Sequence, residues 1–318
     1  MNNHLRPILL SISALLFSLL TPLHAANIAI KAGITPIIDQ AQFYAAVDQG
    51  YFRDEGIDVE PVSGNNTAAL LPGLTAGRLQ FVNANIVTVL QGIEQGIQFR
   101  VVGPGTAMAA QPPDISPIVT LIDGPVKTAK DLEGRTLAVN SLNGILWLYT
   151  RAYLENKGVD LAKVKFLEVP FPQQYDALMA GRVDAAGMTE PFATRSTESG
   201  KAKVLGYPYT ETQPNLQSVV LVTMADWARE NPDALQRYVR AYRKGQDYID
   251  QNGRKPAGIN IISSYTKMDP AVVGKIVLPR FPQSVDVKGI EETARLMVKY
   301  GLLKSMPDMQ SVIYSPKP

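Results

Sequence analysis

Tyr51-Phe52-Arg53-Asp54-Glu55-Gly56-Ile57-Asp58 returns in outline as Tyr153-Leu154-Glu155-Asn156-Lys157-Gly158-Val159-Asp160. Leu74-Thr75-Ala76-Gly77-Arg78-Leu79-Gln80-Phe81 returns as Leu178-Met179-Ala180-Gly181-Arg182-Val183-Asp184-Ala185, and Glu94-Gln95-Gly96 as Glu198-Ser199-Gly200. The copies keep their order and lie roughly a hundred residues apart. Solenoid repeats run at about 20–50 residues, so this period is too long for one. It fits two similar α/β lobes in tandem, and two such lobes leave a cleft between them where a ligand can bind.

Around these blocks, short apolar runs alternate with helical patterns. Residues 27–32 read as a strand, 40–55 as a helix, 57–63 as a strand, 66–76 as a helix, 79–82 as a strand, 86–95 as a helix and 99–102 as a strand. The second half replays this with strands at 135–140, 165–169, 183–186 and 203–205, and helices at 145–157, 173–180 and 190–199. Such alternation implies parallel sheet built from βαβ units. The recurrent glycines, Gly56, Gly77, Gly96 and their counterparts, stand where helices end, since glycine takes the left-handed C′ conformation without a Cβ clash. Arg78 and Arg182 follow such glycines and read as solvated.

Two β-rich runs, 116–122 and 217–223, fall outside the repeat. They read as strands that carry the chain out of the first lobe and back, and as the hinge. The division expected is therefore residues 1–25 as an export signal, 26–117 with 218–318 as lobe 1, and 118–217 as lobe 2. Beyond 223 the chain reads as helical. Asn231-Pro232-Asp233 has the form of a helix start, and Leu235, Tyr238, Val239 and Tyr242 share one face. Ile290, Ala294, Met297 and Val298 line another helix, closed by Gly301.

Arg6, the apolar run 8–20, the Thr21-Pro22 break and the small residues Ala25-Ala26 have the order of a secretory signal peptide cut after Ala25. The run is shorter than the ~17–25 residues that a spanning helix needs. The chain has no cysteine, so neither a disulfide nor lipid attachment at a processing-site cysteine is expected. Its two histidines, His4 and His24, lie in the signal segment. The exported chain would then lack Ser-His-Asp and Cys-His catalysis and the usual zinc ligands. Lys plus Arg number 31 against 29 Asp plus Glu, with the signs interspersed, so no nucleic-acid stripe is expected. No metal or cofactor is expected, and no Walker or Rossmann glycine loop is present.

In open α/β sheets, ligands bind beyond the carboxyl ends of the strands. Here those loops carry Thr35 and Gln42, then Gly64-Asn65-Asn66-Thr67, then Asn83 and Asn85. In the second half they carry Asn140-Ser141-Leu142-Asn143, Pro172-Gln173-Gln174 and Thr189-Glu190. Short polar side chains and backbone N–H groups at helix starts suit an anionic or amide-like ligand. The same residue types are the preferred helix caps, so each one fits either role. Aromatic residues lie nearby: Phe43, Tyr44, Trp147, Tyr149, Tyr175 and Phe192. Of these, Phe43, Trp147 and Phe192 are the candidates to cover a ligand's apolar body. The candidate binding set is Thr35, Gln42, Phe43, Gly64, Asn65, Asn66, Thr67, Asn85, Asn140, Ser141, Asn143, Trp147, Glu190 and Phe192.

Ala41-Gln42-Phe43-Tyr44-Ala45-Ala46 with Gly50-Tyr51-Phe52 and Glu55-Gly56-Ile57-Asp58-Val59 resembles the opening of periplasmic solute-binding proteins of the sulfonate, nitrate and taurine type, and of their NMT1/THI5-like relatives. Lys130-Asp131-Leu132-Glu133-Gly134-Arg135 resembles the segment before their second lobe. Ala177 to Ala186, followed by Glu190-Pro191-Phe192, resembles a further block of theirs. The resemblance covers roughly residues 27–250. It implies a type II periplasmic-binding-protein fold that delivers solute to an ABC permease with a cytoplasmic ATPase, as a periplasmic monomer. Eukaryotic pyrimidine synthases of this fold rely on His and Cys motifs that this chain lacks. Gln42 stands where many relatives carry proline, which would alter the pocket floor.

The leading expectation is a binding protein for a small organic anion, an aromatic or heteroaromatic carboxylate, with an aliphatic sulfonate, taurine or nitrate as the alternative. The rivals are a secreted carboxylate-dependent enzyme, using Asp39 or Glu190, and a ligand-sensing partner of a membrane receptor.

Overall fold

A computed structural model describes residues 27–315. The expected export signal lies outside the described residues. The first half runs β1 (Ile28–Ile34), α1 (Ala41–Asp48), α2 (Tyr51–Asp54), β2 (Ile57–Ser63), α3 (Thr67–Thr75), β3 (Phe81–Asn85), α4 (Ile86–Glu94) and β4 (Phe99–Pro104). The helix expected over 40–55 is two pieces, because Gly50 takes φ 75° and ends α1. The repeated glycines do close their helices: Gly56, Gly77 and Gly96 all have positive φ, as do Gly158, Gly181 and Gly200.

The second half runs β5 (Ile118–Leu121), β6 (Thr136–Val139), α5 (Ile145–Asn156), β7 (Lys165–Glu168), α6 (Phe171–Met179), β8 (Ala185–Gly187), α7 (Phe192–Glu198), β9 (Ala202–Gly206) and β10 (Val219–Met224). The tail is helical: α8 (Ala225–Glu230), α9 (Pro232–Asn252), α10 (Pro256–Thr266), α11 (Pro270–Val273), α12 (Val287–Lys299) and α13 (Met309–Val312).

The strands form two five-stranded sheets, ordered β2-β1-β3-β10-β4 and β7-β6-β8-β5-β9. The orders correspond strand for strand, so the sequence repeat is a repeat of topology. In each sheet one antiparallel strand sits beside the last one. β10 pairs with β3 and β4, and β5 pairs with β8 and β9. The two β-rich runs outside the repeat are these strands, one inserted in each sheet. Each lobe therefore holds a strand reached only after the chain crosses between them.

Helix α9 covers the first sheet on one side. Leu235, Tyr238, Ala241 and Tyr242 form its buried face, as the sequence periodicity predicts, with Val239 only partly buried. They pack with Phe43, Tyr44 and Phe52, and the Phe81 and Tyr238 rings stack at 3.8 Å. Rings of this size dominate core energetics. Helix α12 buries Ile290, Ala294 and Met297 against α4 and reaches the second lobe through hydrogen bonds. The Tyr149 hydroxyl on α5 donates to Gln213 Oε1 at 2.6 Å and lies 2.8 Å from Thr293 Oγ1 on α12, all buried.

Candidate functional site

The loops after β1, β2 and β3 face those after β6, β7 and β8 across one cavity. Thr35, Asn66, Thr67, Asn83 and Asn85 line it from the first lobe. Asn140, Ile145, Phe171 and Thr189 line it from the second. Matching positions of the repeat thus form the opposite walls. The floor comes from Asp39 and Gln40, on the turn before α1, and from Ser116, Tyr209 and Ser218 around the crossings. The free volume is about 50 Å³. A notch of about 40 Å³ adjoins it, lined by Pro36, Gly64, Asn65, Pro170, Pro172 and Phe192, and it shares Thr35, Ile37 and Phe171 with the cavity. Most residues lining the cavity are polar in type and the notch is mainly apolar, a pairing suited to a solute with one polar end and one apolar end.

The polar loop residues both cap and line. Asn66 Oδ1 accepts from Ala69 N–H at 3.0 Å and caps α3. Asn85 Oδ1 accepts from Thr88 N–H at 2.9 Å and caps α4. In each case the cap uses the oxygen and leaves the amide NH₂ to other partners. The starts of α3 and α4 also bring positive helix-dipole ends to the first wall.

Of the expected residues, Thr35, Asn66, Thr67, Asn85 and Asn140 line the cavity, and Gly64, Asn65 and Phe192 line the notch. Six others lie elsewhere. Gln42 is buried against α9, where its Nε2 donates to the Tyr242 hydroxyl at 2.6 Å. Phe43 is fully buried in the aromatic core beside Phe52. Trp147 packs edge-on against Phe166, with the Arg151 guanidinium 4.5 Å above its ring. Ser141 Oγ donates to Leu142 O at 3.4 Å. Asn143 is exposed at φ 60°, and its carbonyl accepts from Gln91 Nε2 on α4 at 3.1 Å. Glu190 is a buried strut rather than a cleft group. It accepts from Thr194 N–H at 3.0 Å, from the Thr194 hydroxyl at 2.8 Å and from Val277 N–H at 3.2 Å.

Sequence reasoning passed over Gln40, Ser116, Phe171, Tyr209 and Ser218. Ser116 and Ser218 did carry a signal, since each stands at the start of a β-rich run outside the repeat, Ser116 as the first residue of 116–122 and Ser218 as the second of 217–223. Asp39, weighed only as a catalytic group, stands in the cavity floor and accepts from the Thr106 hydroxyl at 2.7 Å. Burial pushes its carboxyl up to about 6, against the pull of the Thr106 and Ser218 hydroxyls. Asp114 beneath it is raised for the same reason, while accepting from Ser116 N–H and from Thr210. No Lys or Arg lines the cavity or the notch. Among the described residues, no group of His, Cys, Asp and Glu could hold a metal ion. No described helix is long and apolar enough to cross a membrane.

The model of the family described as NMT1/THI5 like matches residues 38–255. The chain belongs to this family. It is 31% identical over 145 residues to a putative ABC transporter periplasmic binding protein of Brachyspira hyodysenteriae, a match that covers 44% of this chain and 39% of that one. It is 23% identical over 296 residues to a putative aliphatic sulfonates-binding protein of Bacillus subtilis, covering 90% of this chain and 85% of that protein. The alkanesulfonate-binding protein SsuA of Xanthomonas axonopodis, solved with bound MOPS, superposes with a TM-score of 0.78 at 17% identity. That superposition covers 92% of this chain and all of the other (100%). At such identity the likeness shows the fold, which is the two-lobed periplasmic-binding-protein fold.

Proposed function

We propose that this chain is the periplasmic solute-binding component of an ABC importer. It takes a small organic acid into the cleft and presents it to a membrane permease worked by a cytoplasmic ATPase. The observation that carries this reading is the cavity itself, walled by matching loops of two topologically equivalent sheets. A solute bridging those walls favours the closed arrangement by its differential affinity, which a permease can read. The lobes in this reading are residues 26–117 with 218–318, and 118–217. The chain acts as a monomer after removal of residues 1–25, and it binds its solute without altering it.

The solute class favoured is an organosulfonate. The aromatic carboxylate, the leading expectation from sequence, finds no support among the relatives, whereas the Bacillus protein, named for aliphatic sulfonates, supports the sulfonate alternative. Helix starts and neutral amides can hold one such acidic group without a cation. Pro36, Phe171 and Phe192 would cover the organic part.

A thermal-shift screen across sulfonates, carboxylates and nitrate tests this reading. A solute at 100 times its dissociation constant stabilises the native state by about 2.7 kcal/mol. Stabilisation by at least one sulfonate, with scattering that shows compaction, is the expected result. Stabilisation by none of the three classes would overturn it, as would chemical turnover of the bound compound.

A further inference from the structure

An acidic side chain stands in the floor of a cavity read as a site for an acid. Asp39 lines that cavity and is 4% exposed. Its Oδ1 accepts from the Thr106 hydroxyl at 2.7 Å. No neighbouring residue donates to Oδ2 with full geometry, and Oδ2 is not among the sealed atoms that lack a partner. The titratable groups packed around Asp39 are Asp114 and Tyr209 at the crossings, Tyr242 on α9, and Glu190 after β8, whose carbonyl accepts from Ile38 N–H. None of these is a cation, and no Lys or Arg lines the cavity or the notch. Thus no side chain there neutralises Asp39 while an anion is bound. Two negative charges held in one small cavity repel each other, and a neighbouring like charge favours the protonated form of a carboxyl. Burial already lifts the Asp39 carboxyl to about 6, so a proton can be taken up near neutral pH at small cost.

We propose that Asp39 binds the solute as a neutral acid, with Oδ2–H donating to an oxygen of the solute's acidic group while Oδ1 keeps its bond from Thr106. The solute remains an anion and the proton comes from solvent, so binding takes up about one proton per solute. Asp39 is then a binding residue that ties affinity to pH. Affinity is greatest where the ligand-free carboxyl is already protonated, and it falls as pH rises above that range. The inference rests on the organosulfonate reading of the cleft.

The test is calorimetric titration with ethanesulfonate and with butanesulfonate, which stay ionised throughout, between about pH 6 and pH 8. Two buffers of different ionisation heat, neither of them a sulfonate, give the proton count. In wild type, affinity is expected to fall at least about tenfold across this range, with uptake of about half to one proton per solute at about pH 7.5. Asp39→Asn offers a permanent N–H donor in place of the acid. It is expected to bind without proton uptake, to vary by less than about twofold over the range, and to bind at about pH 8 at least as tightly as wild type. The wild-type proton count stands whether or not the variant folds. Binding without proton uptake, or affinity that rises with pH, overturns the role of Asp39 and leaves the sulfonate reading intact. Uptake that persists in a folded Asp39→Asn protein puts the proton elsewhere and refutes the assignment. If neither sulfonate binds at any pH, the sulfonate reading and the role of Asp39 fail together.

Discussion

A buried, uncompensated carboxylate should weaken the ligand-free protein in a pH-dependent way, and Asp39→Asn isolates that effect. The Asp39 carboxyl is raised from 3.8 to about 6 by burial. Between these values the native state holds a proton that the unfolded chain has released. Native stability therefore falls as pH rises through this window, and the loss is nearly complete by about pH 7. Raising a carboxyl pKa by one costs the ionised native state about 1.36 kcal/mol, so the full loss is about 3 kcal/mol. Asparagine keeps the shape and an acceptor for Thr106, but it carries no charge. The stability of Asp39→Asn relative to wild type should therefore grow by about 2.4 kcal/mol between about pH 4 and pH 7. Asp114 and Glu190 are also raised by burial, but both proteins contain them, so their contributions largely cancel in the difference. Urea unfolding followed by the fluorescence of the two tryptophans gives this quantity at each pH. A difference that stays flat across the window would show that Asp39 is not strained by burial. A variant that loses stability relative to wild type as pH rises would reverse the sign and sink the idea outright.

Other outcomes follow from the packing. Tyr149→Phe removes the hydroxyl that joins α5 to Gln213 and to Thr293 on α12. It should cost about 1–2 kcal/mol of unfolding free energy, and an unchanged urea midpoint would count against that seam. Gly245→Ala would set a Cβ 2.1 Å from the Gln42 carbonyl where α9 crosses α1. The expected cost is about 1–3 kcal/mol by thermal or urea unfolding, and full stability would mean that the helices separate without strain. Trp147→Phe lies outside the cavity, so calorimetry with a bound solute should show affinity within about twofold of wild type. A larger loss would return Trp147 to the cleft.

Much of the fold was legible because its markers are local. A glycine that ends a helix does so by its own φ, and Gly77 and Gly181 mark equivalent points in the two lobes. The insertion of β10 and β5 into the two sheets was not legible, since strand pairing across the crossings is a tertiary choice. The candidate site was half legible for a similar reason. Loop residues at strand ends, such as Asn66, Asn85 and Asn140, face the cavity because the parallel sheet puts them there. Residues on the first helix were harder to place. Gln40 and Gln42 are two positions apart, so they point to opposite sides of the chain. Gln40 meets the cavity, while Gln42 meets Tyr242 in the core. Phe43 and Trp147 sit near the right loops, but they lie on helix faces that pack against protein. Tyr209 reaches the floor through the tertiary arrangement around the crossings, and no local signal marks it.

Whether one solute bridges both lobes is decided by calorimetric titration of a binding sulfonate into wild type, Thr67→Val and Asn140→Ala, one substitution in each wall. One-to-one binding to wild type is expected, with a loss of at least about fivefold in each variant, the scale of one lost hydrogen bond, and both variants still folded. Binding that survives unchanged in either variant would contradict the bridged cleft, because the solute would then rest on one lobe alone.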